Sequence, residues 1–406
     1  MLCLLMSIFH KFIQAINDAA FIWRQELKQV LRDEGVLMFC ILVPLAYPLL
    51  YSWVYNNETV HEVPVVVVDM SHSHQSRQFV RMCDASPDVQ VVSYATDLDE
   101  AKSLVSRQVA KGIYYIPEDF ATKLNRMEQS TISVYCDMAL MLTYKAIYQT
   151  AMAVSTKMGA MMQVALAGNY TAREDVITVS PLEVEEVPMF NPQGGYGTSI
   201  LPAVLMLIIQ QTLALGIGLA AGTARESNPD GDLVPAHPAY SGIYRIVGGK
   251  ALCYLMVYAV MGTYLVAVVP KLFGFMQLAP WQNLMALMVP YLLACVFFGM
   301  TVSCMVRYRE NVILLMVFIS LPLLFLTGVS WPQSNIPGAW QGVSWIFPST
   351  FGVRAYVRLN SMGASIGDVT FELRCLWVQV AFYFGMACLV YGHQLRETRR
   401  HLHITD

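Results

Sequence analysis

The chain has 406 residues, 56% of them hydrophobic and only 14% charged, with a formal net charge of −3. Soluble domains carry about 25% charged residues, so the composition excludes an ordinary globular domain and points to an integral membrane protein. No basic stripe with interleaved aromatics is present, which speaks against nucleic-acid binding.

Residues 1–34 come first. Leu5, Ile8, Phe9, Phe12, Ile16, Ala20, Trp23, Leu27, Val30 and Leu31 recur at helical spacing, while Lys11, Asp18, Gln25, Lys28, Gln29 and Arg32 fill much of the other face. The pattern predicts an amphipathic helix, lying in the membrane interface or packed on the protein's own spans; both readings are open. A signal peptide is not expected, because no basic n-region or small-residue cleavage site is present.

Residues 35–55 (GVLMFCILVPLAYPLLYSWVY) form the first apolar stretch. A bilayer core of about 30 Å takes about 20 apolar residues per spanning helix, since no backbone polar group goes unpaired in lipid. Five further stretches meet this requirement, at about 196–223, 251–270, 281–306, 311–330 and 376–395. Lys and Arg near the span ends set the orientation. Lys11, Arg24, Lys28 and Arg32, then Arg225, Arg245 and Lys250, then Arg307 and Arg309, then Arg396, Arg399 and Arg400 all fall on one side. Six spans with that bias predict both termini in the cytoplasm, although Arg354, Arg358 and Arg374 on the outer side weaken it.

Residues 56–186, between the first and second spans, read as an outer α/β domain. Strands are expected at 63–69 (VPVVVVD), 89–94, 112–116 and 131–135, with an amphipathic helix at 97–111, a short helix from about Glu118 and a long one over 138–167. Asp97 suits a helix N-cap. His61, His72, His74 and Asp69 are read as solvated loop residues rather than a metal site, since no known ligand spacing is matched. Cys83 and Cys136 are the domain's cysteines, and an oxidising compartment would permit their pairing without requiring it. Asn169-Tyr170-Thr171 fits a glycosylation sequon, relevant only in a eukaryotic secretory route.

There is no HExxH or CxxC. Gly248-Gly249-Lys250 is the nearest approach to a phosphate loop. Tyr244 stands where the first glycine belongs and Ala251 replaces the magnesium-binding hydroxyl, so nucleotide hydrolysis by this chain is not expected.

An interfacial helix, one span, a large outer domain and five more spans, in that order, resemble the permease subunit of type-2 ABC transporters, in the subgroup with a large extracytoplasmic domain. The resemblance covers nearly the whole chain. It is carried by VPVVVVDMSHS after the first span, DLDEAKSLVSRQVAKGIYYIPEDF in the domain, the loop TARESNPDGDLVPAHPAYSGIYRIVGGKAL, and the Gly/Pro-rich segment 331–375 before the last span. The loop departs from the family pattern where Ser227-Asn228-Pro229-Asp230-Gly231 follows Arg225-Glu226. The fold implied is a polytopic α-helical membrane protein with six transmembrane helices, a small α/β extracytoplasmic domain and an N-terminal interfacial helix.

The function implied is the transmembrane half of an exporter in a bacterial inner membrane, not an enzyme. It would form a dimer with itself or a homologue, driven by a separate ABC ATPase subunit that holds ATP and magnesium; this chain would bind no cofactor of its own. A periplasmic adaptor and membrane lipids are further expected partners. The loop 223–249 is the expected coupling element, with Arg225, Glu226, Asp230, Asp232, Tyr240, Tyr244 and Arg245 as candidate contacts. Polar residues inside apolar spans are expensive; Gln210, Gln211 and Thr212, with Ser320 and Thr327, are the candidate substrate-path residues, against interhelical hydrogen bonding. Tyr258 and Tyr264 are weaker candidates. The alternative function is a membrane receptor or scaffold whose outer domain binds a protein without transport.

Overall fold

The computed structural model describes residues 2–405 except 57–58, 127, 169, 181–189, 192–194 and 229–230, with side chains described between residues 13 and 401. In chain order the first elements are α1 (Leu2–Arg32), α2 (Glu34–Tyr55), β1 (Val63–Asp69), α3 (His74–Asp84) and β2 (Val89–Tyr94). Next come α4 (Leu98–Ser106), β3 (Gly112–Ile116), α5 (Phe120–Asn125), β4 (Ser133–Cys136), α6 (Met141–Ala167) and α7 (Ala172–Val179). The remainder is helical: α8 (Tyr196–Ser227), α9 (Ile243–Leu272), α10 (Trp281–Met305), α11 (Arg309–Leu326), α12 (Gly338–Ser344), α13 (Pro348–Tyr356) and α14 (Thr370–Thr405). Six of these helices, α2, α8, α9, α10, α11 and the last one, are long and apolar enough to cross a membrane. The chain divides into two units: Met1–Glu58 with Phe190–Asp406, and Thr59–Met189.

Thr59–Met189 is a small α/β unit around a sheet of order β2-β1-β3-β4, parallel except for the β3–β4 pair. Strand β1 is valine on both faces because both faces are covered. Val65 and Val67 enter a core with Phe79, Val80 and Cys83 of α3 and Ile147, Ala151 and Val154 of α6. Val66 and Val68 turn the other way, onto Ala101 and its neighbours in α4. Asp97 caps α4 by accepting the Glu100 amide at 2.7 Å. Helix α3, which hydrophobic spacing does not reveal, starts with a capping box in which Ser73 and Ser76 exchange hydrogen bonds. Asp69 is spent on the same turn, accepting the amides of Ser71 and His72 and the Ser76 hydroxyl. Thr171 and Glu174 make a second capping box that starts α7. The partner of Thr171 in the sequon, Asn169, lies outside the described residues. Cys83 and Cys136 are free thiols.

In the helical unit, α8 and α10 form the centre, each with about three-quarters of its apolar window buried, while α2, α11 and α14 expose most of theirs. Glycines set the closest approaches. A Cβ at Gly299 of α10 would come within 3.0 Å of Ile217 of α8, and one at Gly352 of α13 within 2.4 Å of the Tyr291 ring. Helix α13 is buried along almost its whole length. Gln210 of α8 accepts the Ser349 amide at 2.6 Å, supplying the N-terminus of α13 with a capping oxygen inside the bundle. Up to Val369 the segment 331–375 folds as short helices, and residues 370–375 are already the start of α14. Trp331, Trp340 and Trp345 are exposed.

Helix α1 packs on the protein's own α9, and the buried stripe shares Val30 with the one apolar spacing predicts but is otherwise shifted around the helix. Ile22, Glu26 and Val30 are buried; Ile16 and Ala20 are exposed; Trp23 and Leu27 are half-buried. The reason is Gly249, where a Cβ would lie 2.7 Å from the Ala19 carbonyl: the helices touch backbone to backbone there. That contact draws Lys250 onto Glu26, so a charged residue occupies the seam. The spans are also longer than their apolar runs. Helix α8 continues to Ser227 and α9 begins at Ile243, so residues 223–227 and 243–249 of the connection read as 223–249 are helical.

Candidate functional site

Three of the long helices bound a groove of about 570 Å³. Helix α2 supplies a tyrosine ladder, Tyr47, Tyr51 and Tyr55, one residue per turn, with ring centroids 5.6 Å and 6.3 Å apart. Helix α8 supplies Gln211 and Thr212, and α11 supplies Ser320. Among the described residues, no charged side chain lines the groove. Gln211 Nε2 is buried without a hydrogen-bond partner among the described residues. Thr212 is engaged: its hydroxyl donates to the Ile208 carbonyl and accepts from Tyr258 at 2.9 Å. Such a lining offers aromatic faces, a few hydroxyls and one unsatisfied amide, which suits an amphiphile or a delocalised cation better than a hydrophilic solute.

The candidates of the spans therefore separate. Gln211, Thr212 and Ser320 meet at the groove. Gln210, one residue from Gln211 and so about 100° around the helix, caps α13 instead. Thr327 donates to the Leu324 carbonyl, while its own carbonyl accepts from Arg354 at 3.3 Å; it does not line the groove. Tyr264 reaches across to the Leu45 carbonyl of α2. The tyrosine ladder was missed because aromatic residues count only as apolar content in a span; its signal is the i, i+4, i+8 spacing.

The groove closes toward the α1 end. A Cβ at Gly216 of α8 would meet Cys40 Sγ, and one at Gly218 would fall 2.4 Å from Val312 of α11. At the end itself Asp33 ties the same three helices together. Its carboxylate caps α2 through the Gly35 and Val36 amides, takes the Thr223 hydroxyl of α8, and pairs with Arg309 of α11 at 3.0 Å. Burial alone pushes the Asp33 carboxyl up, but the Thr223 hydroxyl, the Val36 amide, Arg309 and the Gly35 amide together hold it below its ordinary value.

Beside this end lies the seam between α1 and α9. Glu26 accepts from Lys250 Nζ at 2.6 Å and from the Tyr254 hydroxyl at 2.8 Å, with the two charged side chains only 4% and 6% exposed. Asp18 pairs with Arg245 one and a half turns away. An open cleft of about 370 Å³ adjoins them, bordered by Lys28 and Arg32 of α1 and by Ser227 and Asn228.

A family model described as ABC-2 family transporter protein matches residues 35–389 of this chain. The chain belongs to that family. Probable multidrug ABC transporter permease YbhR of Escherichia coli strain K12 is 21% identical over 333 residues, which span 80% of this chain and 84% of that protein. The protein of the same name from Escherichia coli O157:H7 gives the same figures. As an ABC-2 member this chain is a multi-pass membrane permease subunit, and the apolar helices with an uncharged groove are the part of it that agrees with that assignment.

The residues read as contacts for an ATPase are distributed unevenly in this ABC-2 permease. Arg225 is buried, donating to the Val306 carbonyl at 2.6 Å and the Cys304 carbonyl at 3.0 Å, so it satisfies the C-terminal carbonyls of α10. Asp232 is also buried, with His401 Nδ1 3.2 Å from its carboxylate, and Tyr240 is buried in the core. Arg245 is held by Asp18. Glu226 is exposed, and Tyr244 is 74% exposed. Asp230 lies outside the described residues. The connection is held at its α9 side from two directions: Phe21 of α1 stacks on His237 at 4.7 Å, and Arg399 of α14 donates to the Ser241 carbonyl.

Proposed function

We propose that this chain is the transmembrane half of an ABC exporter, that the groove between α2, α8 and α11 is its substrate path, and that a separate ATPase drives it from the α1 end. The observation that carries the reading is the groove itself: an aromatic and weakly polar channel wall, inside an ABC-2 permease, holding an unsatisfied amide at Gln211. The exposed faces of α2 and α11 flank the groove, and Phe318, Leu321 and Phe325 stand on the α11 face. A second copy, or a homologue, set against that face would complete the path. Basic residues cluster at the α1 end, which favours a cytoplasmic location for that end and for both termini, in a bacterial inner membrane. The α/β unit between the first two spans then falls on the far side, in reach of a periplasmic adaptor.

The docking surface proposed for the ATPase is α1 with its cleft, together with Glu226 and Tyr244, rather than the buried Arg225, Asp232 and Tyr240. A loop clamped between α1 and α14 is the rigid element that force transmission needs. The name of the Escherichia coli relative adds weight to an amphiphilic or drug-like cargo.

The test is purification of the tagged chain in mild detergent, followed by identification of co-eluting proteins and an ATPase assay. A stoichiometric ATPase whose turnover responds to lipophilic cations, and loses that response in Gln211→Leu or Tyr51→Ala, is expected. A stable chain with no nucleotide-binding partner would overturn the transport reading in favour of a receptor or scaffold.

A further inference from the structure

The α/β unit contains a cavity of its own, of about 490 Å³, between α5 and the C-terminal half of α6. Its size lies in the range of ordinary small-molecule sites. Phe79 and Phe120 form its floor and Met158 and Met162 one wall, so the interior is aromatic and thioether, surfaces that adapt to varied apolar shapes. Gly159 stands on the same wall, and a Cβ there would meet nothing within 4 Å. Space beside α6 is therefore open where a side chain would ordinarily fill it.

Two polar features give the cavity a chemical preference. Among the described residues, Glu128 is the one ionisable group in the lining. Lys123 stands near it but is engaged with Asp119 at 2.6 Å. Ser130 Oγ, also in the lining, is buried with no hydrogen-bond partner among the described residues. An apolar body with a cationic head fits the apolar lining and Glu128: the body on Phe79, Phe120 and the methionines, the cation against the Glu128 carboxylate.

We propose that this cavity is a binding site for lipophilic cations, within the α/β unit and separate from the groove between the long helices. It stands on its own geometry and does not depend on the groove being a transport path.

The full chain, reconstituted in nanodiscs, is to be photolabelled with a diazirine-bearing decyltrimethylammonium and with a sulfate of the same chain length, and the labelled peptides mapped. Saturable labelling by the ammonium probe at residues 128–132 and 155–166 is expected. Glu128→Gln should weaken it about two- to fivefold, the effect of losing one solvent-accessible ion pair. Gly159→Phe, which fills the open space, should abolish it, and Gly159→Ala should retain it. If Gly159→Phe does not fold, Gln163→Trp at the rim replaces it as the blocking variant. Labelling confined to the long helices, labelling that survives a folded blocking variant, or equal labelling by the sulfate would each overturn the proposal.

Discussion

Replacing Lys250 by Met leaves Glu26 as an unpaired buried carboxylate on the seam between α1 and α9. The pair is sealed, and Tyr254 alone cannot stand in for the ammonium. Removing one member of a buried ion pair costs about 3–5 kcal/mol, because the remaining charge keeps its desolvation penalty and loses its compensation. Undocking of α1 is the cheapest way for the chain to rehydrate Glu26. At RT of about 0.6 kcal/mol, a 3 kcal/mol penalty raises the undocked population more than a hundredfold. Arg24, Lys28 and Arg32 on α1 are exposed trypsin sites, but a docked helix resists cleavage. When reclosing outpaces cutting, cleavage follows the open population, so the rate at these sites should rise by two orders of magnitude or more. The double variant Glu26→Leu/Lys250→Met removes both charges and should return to within about tenfold of the parent, the residue being the stranded Tyr254 hydroxyl. A single variant that cleaves within tenfold of the parent, or a double variant as fragile as the single, would refute the argument that burial of this pair holds α1 in place.

The remaining expectations are more local. Gly249→Leu drives a side chain into the Ala19 backbone and should cost about 1–3 kcal/mol, read as the same gain in α1 cleavage. Asp33 is depressed in the folded state, so its contribution to stability is present above its ordinary carboxylate pKa and is lost as pH falls through the folded value; Asp33→Asn should lower thermal stability at pH 7 and flatten that acid limb. Burial pushes the Cys83 thiol up to about 12 and the Cys136 thiol up to about 11. Cys83 should not react with maleimide at pH 7.5 until denaturant is added and the partly buried Cys136 should react only slowly, whereas rapid native labelling of Cys83 would show the α/β core to be open. Arg225→Met strands two carbonyls at the end of α10 and should cost about 1–3 kcal/mol in thermal stability, with no direct loss of an ATPase contact.

The α/β unit was largely legible because its strands are compositionally pure: VPVVVVD admits few readings, and Asp97 announces the helix that follows. Helix α3 escaped because its capping box is built from two serines and only Phe79, Val80 and Cys83 mark its buried side. The span ends were misjudged for a different reason. Helices α8 and α9 run past the apolar stretch into Arg225, Arg245 and Lys250, and these charges look exposed until their partners are known. Asp18 and Glu26 lie more than two hundred residues earlier in the sequence, on a helix whose own apolar spacing indicates a different face. Polar residues in spans were easier to find than to sort. Gln210 and Gln211 are identical in type and adjacent, and only their angular positions on α8 decide that one holds α13 and the other faces the groove.

The architecture of the groove is asymmetric, as the proposed substrate path would require. Small residues on α8, Gly216, Gly218 and Gly222, fall on the α1 side of Gln211, and each is occupied by a neighbour: Cys40 of α2, Val312 of α11 and Arg309 of α11. Those helices are therefore drawn against α8 at one end, and Asp33 fastens all three there through Thr223 and Arg309. Toward the other end the same faces carry Tyr51, Tyr55, Leu201 and Leu324, and the bulk of these side chains holds the helices apart around the groove. A stepwise gradient from glycine to tyrosine along one set of interfaces gives a wedge closed at the α1 end and open at the other. Opening the closed end would require parting Asp33 from Arg309 and moving α2 and α11 off the glycines of α8. The seam that would have to yield lies next to Glu26 and Lys250, on the side where an ATPase is proposed to act.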